Sequence, residues 1–327
     1  MILKFIPIFK HTLWGGDNLL PYKHIEASSV SSKQPVGESW EISGIEGCSS
    51  VVSEGEFKGL TLNDLMRKMP ERIIGAEAYS RYGDSFPLLL KFIDARTELS
   101  VQVHPNDELA AKRHGSNGKA EMWYILGAKE KAFLRSGFKE VIDRQTYDIA
   151  VENDDICSLL NKFSITPGDV FYIPPGCIHN IGPGTFLIEL QQSADITYRI
   201  YDFKRRDIDG NLRELHTELA REAVDLNYAH PKKVANINPS TIERTEILKT
   251  NFFSMHIENV KEPLTEDRKD RDEFVILTCL KGKGKINSEN TTVELSEGES
   301  LLVTADTESY QIVPDSGNSM QIIYSSL

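Results

Sequence analysis

The chain has 327 residues, 40% hydrophobic and 26% charged, a length that suits two cores better than one. Its formal net charge of -12 at pH 7 argues against a general nucleic-acid surface, since phosphate-backbone binding needs clustered Lys and Arg. No run of about 18 apolar residues occurs, and the opening run from Met1 to Pro7 is too short for a signal peptide, so neither membrane insertion nor export is expected.

Near the N-terminus, Trp14 and Trp40 are expected as large core or pocket-wall residues. Glu38 is placed to orient a histidine or lysine. Residues 60–69 put Leu62, Leu65, Met66 and Met69 at helical spacing, with Thr61 as N-cap and Pro70 as a stop. Short helices are also predicted at about 106–113 and 213–224. The rest reads as short strands, at 86–94, 99–103, 121–126, 169–173, 185–191 and 197–202, divided by Gly, Pro, Asn and Asp turn signals. That pattern predicts a mainly β protein of jelly-roll or related barrels. Pro-Lys-Lys at 231–233 and Asn-Ile-Asn-Pro at 236–239 mark a linker, so domains of 1–235 and 236–327 are expected. The basic triplet Lys204-Arg205-Arg206 reads as a solvated turn. Cys48, Cys157, Cys177 and Cys279 lack Cys-x-x-Cys spacing and read as reduced thiols of a cytoplasmic protein.

Metal-ligand side chains recur on three of these segments. In Ser100-Val101-Gln102-Val103-His104 alternate residues share a face, so Ser100, Gln102 and His104 converge while Val101 and Val103 pack opposite. Glu121 opens a strand. Residues 168–179 read as a turn, an apolar strand and a Pro-Pro-Gly turn that fixes where His179 projects. Two imidazoles, a carboxylate and Gln102 suit a borderline ion such as zinc with a position left for water or substrate. Gly168 followed by Pro174-x-Gly176-x-x-His179 is similar to the second half of the cupin metal signature, and Gln102-x-His104 upstream of Glu121 resembles its first half. The C-terminal segment around Ser296-Glu297-Gly298-Glu299 echoes Thr166-Pro167-Gly168-Asp169 but lacks the ligands, and reads as a second, metal-free cupin-like jelly roll. His256 is expected to be structural there.

From about residue 8 onward the chain resembles the cupin-fold mannose-6-phosphate isomerases in their short bacterial form. The likeness is carried by Leu13-Trp14-Gly15-Gly16, Gly37-Glu38-Ser39-Trp40-Glu41, Leu99 to Pro105, Gly118 to Tyr124, Ile173 to His179 and Glu189 to Arg199. It implies one zinc per chain, held at Gln102, His104, Glu121 and His179, and an active-site role for Arg199. The implied reaction moves a proton between C2 and C1 of a phosphosugar. Glu189, on an apolar strand, is the candidate base, with a metal-bound water as the alternative; a structural pair of Glu189 with Arg199 or Arg205 is the competing reading. Lys91, Lys119 and Arg199, with Ser100, are candidates to meet the phosphate, and Trp14 and Glu38 complete the substrate-binding set. Two further readings fit the same fold: an iron-dependent cupin oxygenase, and a binding protein that holds a sugar phosphate without turnover.

Overall fold

Residues 1–30, 32, 34–237, 244–289 and 291–327 are described by the structure, a computed structural model of the chain. The chain is mainly β, and its strands form two sandwiches of antiparallel sheets. In the N-terminal sandwich one sheet runs in the order Ala235–Asn236, Asp169–Ile173, Glu121–Ala128, Thr185–Gln192, Leu88–Ala95, Val36–Ser43 and Ile8–His11. It faces a smaller sheet ordered Tyr198–Tyr201, Val101–Val103, His179–Ile181, Phe133–Phe138 and Leu160–Ser164.

Leu88–Ala95 and Thr185–Gln192 are buried at every position, because the larger sheet is covered on both faces. Leu88, Leu90, Phe92, Met122, Ile188 and Leu190 face a core shared with Phe253, Met255, Ile276 and Ile323 of the C-terminal half. Their neighbours Ile93, Trp123, Ile125 and Leu187 face the smaller sheet. Side chains alternate along a strand, so the inner face also receives Lys91, Glu121 and Glu189. The outer face of the smaller sheet is sealed by Tyr147 and Ala150 of helix Arg144–Glu152 and by Ala220 of helix Thr217–Ala223, packed on Val101, Val103, Tyr198 and Ile200.

The first strand, Ile2–Ile6, does not pair within the N-terminal sandwich. It lies between Ser300–Val303 and Val51–Val52 in the large C-terminal sheet, with Ile2 opposite Val303 and Phe5 opposite Val52. Hydrogen bonding thus crosses the boundary expected at 235/236. Of the linker read there, residues 238 and 239 lie outside the described residues. The anticipated echo between the halves extends to bonding. Asp169 Oδ2 accepts from Thr166 N at 2.8 Å and Glu299 Oε2 accepts from Ser296 N at 2.8 Å, with Gly168 and Gly298 at φ +90° and +78° in the same turn.

Local expectations fared unevenly. Helix Leu62–Lys68 has a capping box between Thr61 and Asp64, but Pro70 also begins a further helix, Pro70–Ile74, since proline suits a first helical turn. The helix expected at 213–224 starts only at Thr217. Residues 213–216 form a loop tied to Arg199, whose carbonyl accepts from His216 N at 2.7 Å. Lys204-Arg205-Arg206 is more than a solvated turn: Arg205 pairs with Asp202 and donates to Glu98 O. His256 is half-buried, 3.7 Å from Glu246. Among the described residues, no helix is long and apolar enough to cross a membrane. All four cysteines are free thiols.

A buried ion pair joins the sandwiches. Lys23 Nζ lies 2.9 Å from both oxygens of Glu41 and also donates to Gly298 O. Both side chains are at most 5% exposed. Lys23→Met is expected to destabilise the protein by about 3–5 kcal/mol, because it strands a buried carboxylate, whereas Lys23→Met with Glu41→Leu should recover most of the loss. Urea unfolding of the three proteins checks this.

Candidate metal centre and adjoining cavity

In the smaller sheet Arg199 and His179 both stand opposite Gln102, so the three form one rung across neighbouring strands. Glu121 approaches from the facing sheet. The Pro-Pro-Gly turn is anchored where it must be, as Gly176, at φ +83°, donates its N–H to His104 O at 2.9 Å. His104, Glu121 and His179 each present a ligand atom within 4.8 Å of the others. His104 Nε2 is 3.1 Å from Glu121 Oε1, and His179 Nε2 is 3.6 Å from Oε2.

The outer ring nitrogens are already committed. His104 Nδ1 donates to Ile196 O at 2.8 Å and His179 Nδ1 to Cys177 O at 2.9 Å. A carbonyl only accepts, so both rings carry the proton on Nδ1 and turn the Nε2 lone pair inward. Burial, then the Lys119 ammonium, pushes the His104 imidazole down to about 3, and burial lowers His179 as well, so both rings are neutral at pH 7. Burial opposes the charge on Glu121, but Lys119 and then His104 hold it well below the usual carboxylate range. Lys119 Nζ is 2.8 Å from Oε1, yet neither Glu121 oxygen, fully buried, accepts an aligned hydrogen bond. Two inward lone pairs and a buried carboxylate with orphaned oxygens suit a divalent cation. The Gln102 amide is 3.3 Å from His179 Nε2 and accepts from Ser100 Oγ at 3.4 Å, which brings it to the edge of the cluster.

A cavity of ≈ 290 Å³ opens beside the cluster, and Gln102 and Lys119 form part of its wall. Ser100, Lys91, Glu189, Arg199, Trp14 and Glu38 line it too, so the structure brings every residue singled out from the sequence to the cluster or to this cavity. Glu189 does not pair with Arg199 or Arg205. Its Oε1 lies 3.0 Å from Lys91 Nζ, directly across the strand pair, and its Oε2 accepts from Trp123 Nε1 at 2.9 Å. Burial, and next the charge of Glu121, raise its pKa despite Lys91. Burial opposes the charge of Lys91 too, but Glu189 and Glu38 more than compensate and raise it. Glu38 also accepts from Trp40 Nε1 at 2.6 Å. Arg199 donates from Nη1 to Glu214 O at 2.7 Å, and burial followed by Arg213 lowers its pKa.

The cavity is also lined by Lys10, Thr12, Asp195, Thr197 and Arg213, none of which the sequence reading assigned. Asp195 and Thr197 fall inside the Glu189 to Arg199 segment, so that signal was available. Lys10 and Thr12 stand just upstream of Leu13-Trp14-Gly15-Gly16, with no pattern of their own.

Comparison with known proteins gives a consistent result. A family model described as the phosphomannose isomerase type I catalytic domain matches residues 2–145, and one for the mannose-6-phosphate isomerase cupin domain matches residues 243–327. The chain is 32% identical over 308 residues to mannose-6-phosphate isomerase ManA of Bacillus subtilis (strain 168), covering 92% of each. It is 31% identical to the mannose-6-phosphate isomerase of Streptococcus mutans, covering 93% of this chain and 92% of that one. Among solved structures, the mannose 6-phosphate isomerase of Bacillus subtilis superposes with a TM-score of 0.85 at 27% identity, covering 100% of this chain and 99% of the other.

Proposed function

Because this chain belongs to the mannose-6-phosphate isomerase family, a family of metal-dependent isomerases, we propose that it interconverts mannose 6-phosphate and fructose 6-phosphate in the cytoplasm, using one zinc ion held by Gln102, His104, Glu121 and His179. The observation that carries this reading is the placement of a buried His-Glu-His cluster beside a cavity that also holds a carboxylate of raised pKa. The free thiols support a reducing compartment.

A metal ion at that site supplies Lewis-acid polarisation of the sugar's carbonyl and hydroxyl oxygens. The other groups act around it. Glu189 takes the proton from C2 of the open-chain aldose and returns it to C1, and the enediol between the two steps carries developing negative charge on oxygen. Its raised pKa makes it a stronger base than an exposed carboxylate, and Trp123 and Lys91 fix its orientation. Arg199, permanently charged at the cavity wall, stabilises the developing oxyanion. Ser100, Lys91 and Lys119 hold substrate oxygens, and Trp14 and Glu38 shape the wall. Residues 1–235 carry the catalytic site; residues 236–327, in which no metal-ligand cluster occurs among the described residues, cover the outer face of the catalytic sheet.

The test is a coupled assay of fructose 6-phosphate formed from mannose 6-phosphate, on protein as purified, after chelation, and after zinc, iron or manganese is restored. Turnover that vanishes on chelation and returns best with zinc is expected. No turnover in fully metallated protein would overturn the isomerase assignment, and recovery with iron alone would overturn the zinc assignment.

A further inference from the structure

We infer that Lys10, on the edge strand Ile8–His11 of the catalytic sheet, and Thr12, just beyond the end of that strand, form the subsite that holds the phosphate of the bound phosphosugar. The inference rests on the isomerase reading above and extends it to groups that reading leaves unused.

The cations lining the cavity differ in what already neutralises them. Lys91 lies 3.0 Å from Glu189, Lys119 2.8 Å from Glu121 and Arg213 3.3 Å from Asp202. Drawing any of these from a buried carboxylate would leave that carboxylate uncompensated. Among the described residues, Arg199 and Lys10 meet no carboxylate at ion-pair distance, but Arg199 stands in one rung with Gln102 and His179 at the metal cluster, where the chemistry lies, which leaves Lys10. Its Nζ is 3.0 Å from Cys48 Sγ and 4.3 Å from the centroid of the Trp40 indole. Both are weak partners that a phosphate dianion outcompetes.

Thr12 supplies an independent observation. The residue lines the same cavity, and its Oγ1 is buried with no hydrogen-bond partner. Buried hydroxyls are seldom left so, and a phosphate has the oxygens to accept from it and to meet an ammonium lining the same cavity. Gly37 leaves room for the hydroxyl, since a Cβ there would stand 2.1 Å from Thr12 Oγ1.

Position agrees with charge. From Glu189 the inner face of the sheet runs outward through Lys91 and Trp40, which stand opposite one another on paired strands, to the edge strand bearing Lys10 opposite Glu38. Lys91 Nζ lies 5.1 Å from the same indole centroid, so both ammonium groups border Trp40, Lys91 from the strand next to Glu189 and Lys10 from the edge strand. The carbons that exchange the proton must lie near Glu189, whereas the phosphate sits at the far end of a six-carbon chain. A cation beside Glu189 is therefore too close to the chemistry to hold it; Lys10, on the third strand out from that of Glu189, is not.

The experiment is steady-state kinetics of the metal-loaded enzyme, with inorganic phosphate as a competitive probe. Lys10→Met is expected to raise KM for mannose 6-phosphate and Ki for phosphate together, by about 10- to 100-fold for one charge-assisted contact, while kcat falls less than about three-fold because the contact is the same in ground and transition states. Lys10→Arg should recover most of the loss, and Thr12→Val should raise both constants by about 3- to 10-fold. Cys48→Ala, which keeps the cation and removes only its thiol partner, separates packing damage from loss of charge: it should stay within about three-fold of the parent. KM and phosphate Ki unchanged in Lys10→Met, or kcat lost with KM unchanged, would overturn the assignment. Were the parent not to turn over mannose 6-phosphate, the isomerase reading would fail separately; calorimetric phosphate binding by the parent and Lys10→Met would still decide the subsite.

Discussion

Replacing His179 with alanine should abolish stoichiometric metal binding and lower turnover of mannose 6-phosphate on the order of 10³-fold, the several kcal/mol that a bound cation contributes to stabilising developing charge. His179 is held from several directions. Its ring is fully buried, its Nδ1 is fixed by Cys177 O, and the indole of Trp123 packs edge-on with centroids 5.4 Å apart. Alanine removes an inward lone pair that no neighbour can replace, because Cys177 Sγ is occupied with Ser136 Oγ at 3.4 Å. Metal analysis of the purified variant, alongside the coupled assay and a thermal unfolding midpoint, reads the three consequences separately. Full metal content with normal turnover in a folded variant would remove His179 from the ligand set.

The grouping of His104, Glu121 and His179 was legible because its signals are local. Strand alternation puts Gln102 and His104 on one face whatever the fold does, and Gly176 fixes the turn before His179. The sequence could not show which strand faces which. The partner of Glu189 illustrates this: arginines near it in sequence looked available, yet the cross-strand register sets Lys91 directly opposite, and a buried carboxylate takes the cation that the sheet delivers. Lys10 and Thr12 were hidden for a related reason. Every residue of Ile8–His11 is half-buried, so the segment shows no in-and-out alternation, and its face is set only by pairing with Val36–Ser43. The path of Ile2–Ile6 into the C-terminal sheet was also illegible, since its apolar pattern fits either sandwich.

The two-sided burial of the catalytic sheet links fold to chemistry. A sheet with one wet face could carry Lys91 and Glu189 as a solvated pair, worth little and without effect on basicity. Here the shared core with the C-terminal half covers the outer face and the smaller sheet covers the inner one. The C-terminal half thus excludes water from behind the catalytic sheet, packing on it through Phe253, Met255 and Ile276.

Glu189→Gln is expected to reduce kcat by about 10²- to 10⁴-fold with metal content unchanged, the range for loss of a positioned general base. The amide keeps the shape and can still accept from Trp123, so a folded, metal-bound and slow enzyme isolates the proton transfer. The pH profile provides the second reading. A base works only when deprotonated, so activity falls as pH drops through its pKa, and burial, the leading cause of the raised value, places this acid limb above the ordinary carboxylate range. Lys91 acts in the opposite direction, favouring the charged carboxylate from 3.0 Å. Lys91→Met should therefore raise the pKa of Glu189 further and move the acid limb of kcat/KM to higher pH, while Glu189→Gln should remove that limb altogether. A Glu189→Gln rate within a few-fold of the parent, with its acid limb intact, would transfer the base role to water at the metal centre and leave the Lys91–Glu189 pair a structural one.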